Sequence, residues 1–184
     1  MITTLKFAKV RNDAIIPSKH SGDAGYDIYP CFDEDYIFFK PHETKLIPTG
    51  ICSAFDDDYV MILKERGSTG VHGIGQRSGV IDASFRGEWK VVVTNHNDIP
   101  LIIMKNKKGL IGKNIMIDTI TDLRTKGLNI NWNFTKFNIY PYEKAICQAI
   151  LIPIAEADVE EYTHDEILEI TSHRNEGMLG SSGK

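Results

Sequence analysis

The chain has 184 residues, a formal net charge of -4 at pH 7, 42% hydrophobic and 25% charged residues. That composition predicts one globular domain, residues 1–184, with room for a core that needs neither disulfide nor structural metal. A negative balance gives no general reason to expect nucleic-acid binding, so an anionic ligand must be met by a local cluster of positive groups.

The opening MITTLKFAKV carries no charged lead followed by a long apolar run, so no signal peptide is expected. No later stretch reaches the length of a membrane span. Cys31, Cys52 and Cys147 are odd in number, far apart and without CxxC spacing. They read as small buried side chains in a reducing compartment, and the expected location is cytoplasmic.

Strands are predicted at 4–10, 36–39, 44–48, 59–64, 89–95, 101–105 and 145–154, each short and rich in β-branched or aromatic residues. Residues 59–63 and 146–152 are nearly continuous apolar runs, as expected of strands buried on both faces. Turn residues fill the gaps, among them Ser21-Gly22-Asp23, Pro48-Thr49-Gly50 and Asp56-Asp57-Asp58. Many short strands with frequent turns predict an all-β sandwich or barrel. Residues 106–139 break this rhythm: the pattern fits a helix or a strand pair, and an insertion loop is the plainer reading. Residues 158–172 read as a short helix and strand, and the Gly- and Ser-rich 174–184 as a flexible C-terminal arm.

Four stretches combine residues that can do chemistry. Ser21-Gly22-Asp23-Ala24-Gly25-Tyr26-Asp27 is a loop that Asx-turn chemistry alone would explain. Glu65-Arg66-Gly67-Ser68-Thr69-Gly70 follows a strand and joins a guanidinium to two hydroxyls and two glycines. Such a set suits a phosphate as well as it suits a polar turn, and it lacks the ending of a P-loop. Gly79 to Trp89, GVIDASFRGEW, places Asp82, Arg86 and Glu88 within seven positions. Either it is a hairpin corner with solvated charges, or Asp82 is a positioned base and Phe85 faces a flat ligand. In the tail, Arg174 precedes three glycines and two serines, the makings of a segment that closes over a phosphate. The six histidines are scattered without metal-ligand spacing, and no nucleophile elbow supports a Ser-His-Asp triad.

In this order the pieces resemble the trimeric deoxyuridine triphosphatases, the dUTPases. That family carries five motifs in fixed order. Ala24-Gly25-Tyr26-Asp27-Ile28 resembles the first, Glu65-Arg66-Gly67-Ser68 the second and Gly79 to Glu88 the third. Lys144-Ala145-Ile146-Cys147-Gln148-Ala149-Ile150 is similar to the fourth, and Arg174 to Gly183 to the fifth. The resemblance spans nearly the whole chain outside 106–139, an insertion placed as in some phage-encoded relatives.

The resemblance implies a distorted jelly-roll-like β-barrel, a homotrimer with a C-terminal arm, and active sites at subunit interfaces. It implies hydrolysis of dUTP to dUMP and pyrophosphate, with Mg²⁺ held through the triphosphate and waters and no direct protein ligand. Asp82 would activate the attacking water, a role a carboxylate at a rigid strand end can fill. Phe85 would pack on the deoxyribose where the family has tyrosine. Uracil would be read by backbone groups of a hairpin from His72 to Gly79, with Gln76, Gly79 and Ile81 among the substrate-binding residues. Arg66, Ser68, Gln148, Arg174, Gly180, Ser181 and Ser182 would hold the triphosphate, and Asp27 would support the metal's water shell.

Two residues depart from the pattern. Gly67 stands between Arg66 and Ser68, where the family places its serine directly after the arginine. Leu179 stands where an aromatic normally stacks on uracil, a contact worth roughly 1–3 kcal/mol per base. Two other readings share the fold. A dCTP deaminase needs a glutamate three residues before Asn95, where this chain has Val92, which moves no protons. A regulatory module would use 106–139 to capture a protein partner such as a repressor.

Overall fold

The computed structural model describes residues 4–105 and 137–172. Two compact units divide the chain at Ile154 and Ala155. The first contains twelve described strands: β1 (Lys6–Lys9), β2 (Gly25–Ile28), β3 (Tyr36–Phe39), β4 (Thr44–Pro48), β5 (Ile51–Ala54), β6 (Tyr59–Lys64), β7 (Ile74–Gln76), β8 (Val80–Asp82), β9 (Lys90–Asn95), β10 (Leu101–Met104), β11 (Asn138–Pro141) and β12 (Cys147–Pro153). Among the described residues of this unit one short helix, α1 (Gly67–Val71), interrupts them. The fold is all-β apart from such short helices, as the strand pattern predicts.

The strands form small sheets with the orders β1-β5, β11-β10-β3, β2-β12-β6-β8 and β4-β9-β7. All pairings among the described strands are antiparallel except β10 with β11. A parallel neighbour cannot be reached by a tight turn, and the long stretch of chain between Met104 and Asn138 provides the length for a crossover. Asn138 and Ile139, expected at the end of the insertion, instead open β11; residues 106–136 lie outside the described ones.

The core is one apolar cluster drawn from every sheet, with Trp89, Phe39, Phe32, Ile28, Met61, Leu101, Ile103 and Ile146 fully buried. Trp89 precedes β9 rather than belonging to it. Its indole Nε1 donates to Ser53 Oγ at 3.2 Å and its ring meets the Phe7 ring at 5.5 Å. Gly50, with φ of 67°, carries the chain between β4 and β5 in a left-handed conformation. A side chain there would press on Ala14 and the Cys31 sulfur, both 2.8 Å from a Cβ.

The expectation that 59–63 and 146–152 are buried on both faces is corrected. In β6, Met61 and Leu63 are buried while Val60 and Ile62 are half-buried; in β12, Cys147 and Ala149 are buried while Ile152 is 39% exposed. Side chains alternate across a strand, and in a single chain only one face of this sheet has a core to cover it.

In the second unit α2 (His164–Glu169) begins at Thr163, whose hydroxyl accepts from the Glu166 amide while the Glu166 carboxylate accepts from the Thr163 amide at 2.8 Å. This reciprocal cap explains the helix expected within 158–172. The strand expected beside it is not found among the described residues. No described helix is long and apolar enough to cross a membrane.

Candidate functional site

The first motif lies on β2, the second on the turn into α1 and the fourth on β12. The register of the central sheet brings them together: Asp27 is opposite Gln148, and Gln148 is opposite Lys64 at the end of β6. Arg66 follows two residues later. Its Nε pairs with Asp27 Oδ1 at 2.9 Å and its Nη2 donates to Oδ2 at 3.3 Å, a bidentate ion pair with side chains 29% and 33% exposed. Nη1 donates to the Ala145 carbonyl at 3.2 Å and to Ser68 Oγ at 3.3 Å. Gln148 Nε2 donates to the Glu65 carbonyl at 2.8 Å.

Asp27, Arg66, Ser68 and Gln148 line a cavity of about 690 Å³ together with Ser18, Lys19, His20, Gly25, Tyr29 and Gly67. These four are thus brought together in one cavity. Lys19 was missed. Its ammonium is tied to the Asp23 carbonyl at 2.5 Å and lies 5.1 Å from the Tyr26 ring centroid, so a second cation stands on the cavity wall. The only sequence signal was a lysine just before the glycine-aspartate loop.

The 65–70 stretch is a helix start rather than a loose loop. Thr69, fully buried, donates through Oγ1 to the Arg66 carbonyl at 2.8 Å and accepts from the Arg66 amide at 3.1 Å. This local ring holds Arg66 at the cavity edge. A Cβ added at Gly67 would meet nothing within 4 Å, so the position where the family has serine is open space.

The third-motif residues sit elsewhere. Asp82 ends β8 opposite Val60, and its carbonyl accepts from the Phe85 amide at 3.0 Å, so the chain turns a corner there. Phe85 is 42% exposed, and a Cβ on Gly87 would lie 2.6 Å from its Cζ, so glycine lets the ring lie on the backbone. Glu88 Oε1 accepts from the Gly50 amide at 2.9 Å, and Arg86 Nη1 donates to the Ala83, Phe85 and Ser53 carbonyls. Both charges therefore serve the backbone.

Asp82 and Asp27 are separated by three strand spacings and by the four residues from Val60 to Lys64. At about 4.8 Å per strand and 3.3 Å per residue that is about 20 Å. One chain does not bring them into one cavity.

The expected hairpin from His72 to Gly79 is corrected to a corner between sheets. β7 pairs with β9 while β8 pairs with β6, so its arms have different partners. Asn97 and Asn138 both donate to the His72 carbonyl, at 2.9 and 2.7 Å, and the Gln76 amide donates to Glu65 Oε1 at 3.1 Å. Gly79 is open on its Cα side, while Ile81 turns into the core. Val92, the position a deaminase would need acidic, is a half-buried residue of β9. Arg174, Leu179, Gly180, Ser181 and Ser182 lie outside the described residues.

The chain is a β-protein whose antiparallel sheet carries a cavity edged by a carboxylate-locked guanidinium, a hydroxyl, a carboxamide and a second cation, groups whose chemistry suits an anion. The chain belongs to the dUTPase family: the family's sequence profile matches residues 11–108. The deoxyuridine 5'-triphosphate nucleotidohydrolase of Neisseria meningitidis serogroup A is 30% identical over 169 residues, covering 88% of this chain and 83% of that protein. The enzyme of the same name from Clostridioides difficile is 35% identical over 108 residues, 56% of this chain and 73% of that one. Among solved structures, a mutant dUTPase of Staphylococcus bacteriophage 80alpha with dUpNHpp superposes with a TM-score of 0.68 at 21% identity, covering 98% and 99% of the two chains. The dUTPase of phage phi11 of S. aureus, described with a structural Mg(II) ion, superposes at 0.59 with 18% identity, covering 86% of this chain and 96% of that one. These two likenesses concern the fold.

Proposed function

We propose that the chain hydrolyses dUTP to dUMP and pyrophosphate, at sites shared between copies of a cytoplasmic homotrimer. The observation that carries this reading, beside the family, is the Arg66 guanidinium fixed by Asp27 at the cavity edge with Ser68 and Gln148 beside it. Arg66, Ser68 and Gln148 hold the triphosphate. Asp82, supplied by a neighbouring copy, takes a proton from a water whose oxygen bonds the α-phosphorus while the bond to the β-phosphate bridging oxygen breaks. Phe85 of that copy packs on the sugar, and the 72–81 corner reads the base. Arg174 and Gly180, Ser181 and Ser182 close over the phosphates.

Two observations support sharing between copies. The Asp82 and Arg66 groups are too far apart to act within one chain. Moreover, Ile150, Ile62 and Val80 lie in one row across the sheet, with Ile152 and Val60 in the next, and this open apolar strip includes Val80 at 54% exposure. A second copy would cover it.

The lining fits Mg²⁺ brought in on phosphates with most of its waters: two carboxylates, Asp23 and Asp27, stand beside the cations Lys19 and Arg66, a set that would not cage a bare ion. Bound there, the ion would offset charge on the phosphate oxygens. Asp27 already has both oxygens on Arg66, so it orients the guanidinium and accepts from waters with its remaining lone pairs. Capture of a protein partner through 106–139 is a separate proposal: replacing 106–136 with a short Gly-Ser linker, which spares β11, should keep hydrolysis and lose capture.

Pyrophosphate release with Mg²⁺ from dUTP, dCTP, dTTP and UTP, by wild type and Asp82→Asn, tests the reading. Release from dUTP alone, lost in Asp82→Asn, is expected. Equal release by the variant would overturn Asp82 as base, and no release from any substrate would overturn the activity.

A further inference from the structure

Tyr140 is the one long polar side chain of β11 that is buried, at 3% exposure, and its hydroxyl has no role in the reaction above. It donates to the Ala145 carbonyl at 2.7 Å. The same carbonyl accepts from Arg66 Nη1 at 3.2 Å, so its two lone pairs are divided between phenol and guanidinium. Burial pushes the phenol above its ordinary range, with Arg66 and Ser68 near enough to draw it partly back, so it remains a neutral donor. The edge of its ring meets the His72 ring, centroids 6.4 Å apart, at the start of the corner that would read the base.

The donors of Arg66 show why this matters. Of five N–H groups, Nε and one on Nη2 go to Asp27, and those on Nη1 go to Ala145 and Ser68. Among the described residues that leaves one N–H on Nη2 for a ligand, plus whatever Ser68 yields. Its direction follows from the plane of the guanidinium. Asp27 sets one edge of that plane and the Ala145 carbonyl the other. The Ala145 segment is also held by Lys144 N on the Pro141 carbonyl at 3.1 Å and Ile146 N on the Ile28 carbonyl at 2.8 Å. Those bonds place the chain, but among the described residues the Tyr140 hydroxyl is the other donor to the acceptor atom that Arg66 uses.

We propose that Tyr140 is a positioning residue for Arg66, fixing the Ala145 carbonyl so that the guanidinium presents its one uncommitted N–H to a triphosphate. This rests on the proposed function for its substrate, and on the cavity geometry alone for its anion. Arg66 thereby depends on β11, the strand that follows the 106–136 segment.

The test is a double-mutant cycle of Tyr140→Phe and Arg66→Lys in the full chain. It reads kcat and KM for pyrophosphate release from dUTP, the Kd for inorganic tripolyphosphate by calorimetry, and Tm. Tyr140→Phe should lower kcat/KM and weaken tripolyphosphate about tenfold, the loss of one charge-supporting hydrogen bond. In the Arg66→Lys background the same exchange should change either quantity less than twofold, because a lysine does not bond in the guanidinium plane. An equal factor in both backgrounds would make Tyr140 merely structural and overturn the proposal, as would no loss in the single variant. If Tyr140→Phe does not fold, Tyr140→Gln takes its place in the cycle: the amide keeps a donor, so tripolyphosphate affinity near wild type supports the proposal and a tenfold loss opposes it. A wild type that releases no pyrophosphate from dUTP would sink the proposed function, while its tripolyphosphate arm would still decide the part played by Tyr140.

Discussion

Gly25→Ala should damage both stability and substrate affinity, for a reason visible only at the pairing of β2 with β12. Gly25 has an ordinary φ, so alanine adopts its backbone without strain; the obstacle is Gln148. An added Cβ would lie 2.9 Å from Gln148 Cβ and from its Cδ, and closer still to Oε1. Carbon atoms prefer about 3.5–4.0 Å. The amide end can swing aside, but Cβ is tied to the backbone of β12, so the strands must part slightly. Overpacking of this kind costs about 1–3 kcal/mol. Swinging the amide aside also breaks its bond to the Glu65 carbonyl, a further loss of about 0.5–1.5 kcal/mol. The sum is about 1.5–4.5 kcal/mol, read as a lower urea midpoint with an unchanged m-value. Because Gln148 lines the cavity, KM for dUTP should rise roughly tenfold for each 1.4 kcal/mol that reaches the bound state. A variant within about 0.5 kcal/mol of wild type, with KM unchanged within twofold, would refute the argument.

Trp89→Ala should cost about 3–5 kcal/mol in urea unfolding, since it empties the centre of the core and leaves Ser53 Oγ without its donor. A loss below about 1 kcal/mol would place the core elsewhere. Burial pushes the Tyr142 phenol up to about 12, from an ordinary 10.0, with the Phe32 ring edge-on at 4.9 Å. Its stabilising effect is therefore complete below pH 10 and fades toward 12, so Tm should fall less over that window in Tyr142→Phe than in wild type. Equal slopes would contradict the burial argument. Burial likewise raises the thiols of Cys31 and Cys147, whereas Cys52 is half-buried. Timed alkylation of the native protein at pH 8 should modify Cys52 first, and modification of Cys147 ahead of it would be incompatible with the fold.

Much of the scaffold was legible because short β-branched runs between turn residues admit few other structures. β3, β4 and β6 run as the apolar pattern predicts, and 89–95, 101–105 and 145–154 need only trimming. The strands that escaped notice are those whose composition hides them. β2 is GYDI, β7 is IGQ and β5 is ICSA, short segments whose glycine or small polar residues read as turn. Helix α1 is GSTGV, which no propensity favours; the buried Thr69 ring around Arg66 makes it.

Residue types and their order, by themselves, determined an all-β chain, a local positive cluster in an acidic protein, and the candidates Asp27, Arg66, Ser68, Asp82 and Gln148, because the chemistry of each side chain is written in its identity. Their distances were not, because register sets them. Pairing β12 between β2 and β6 joins Asp27 to Arg66 across 39 positions of sequence and puts Lys19 on the same wall. Pairing β8 on the far side of β6 sends Asp82 about 20 Å away. A strand's sequence tells which of its faces is apolar, but which strand lies beside it is decided by the collective packing of the whole core. That packing alone separates Asp82 from Arg66 and Gln148.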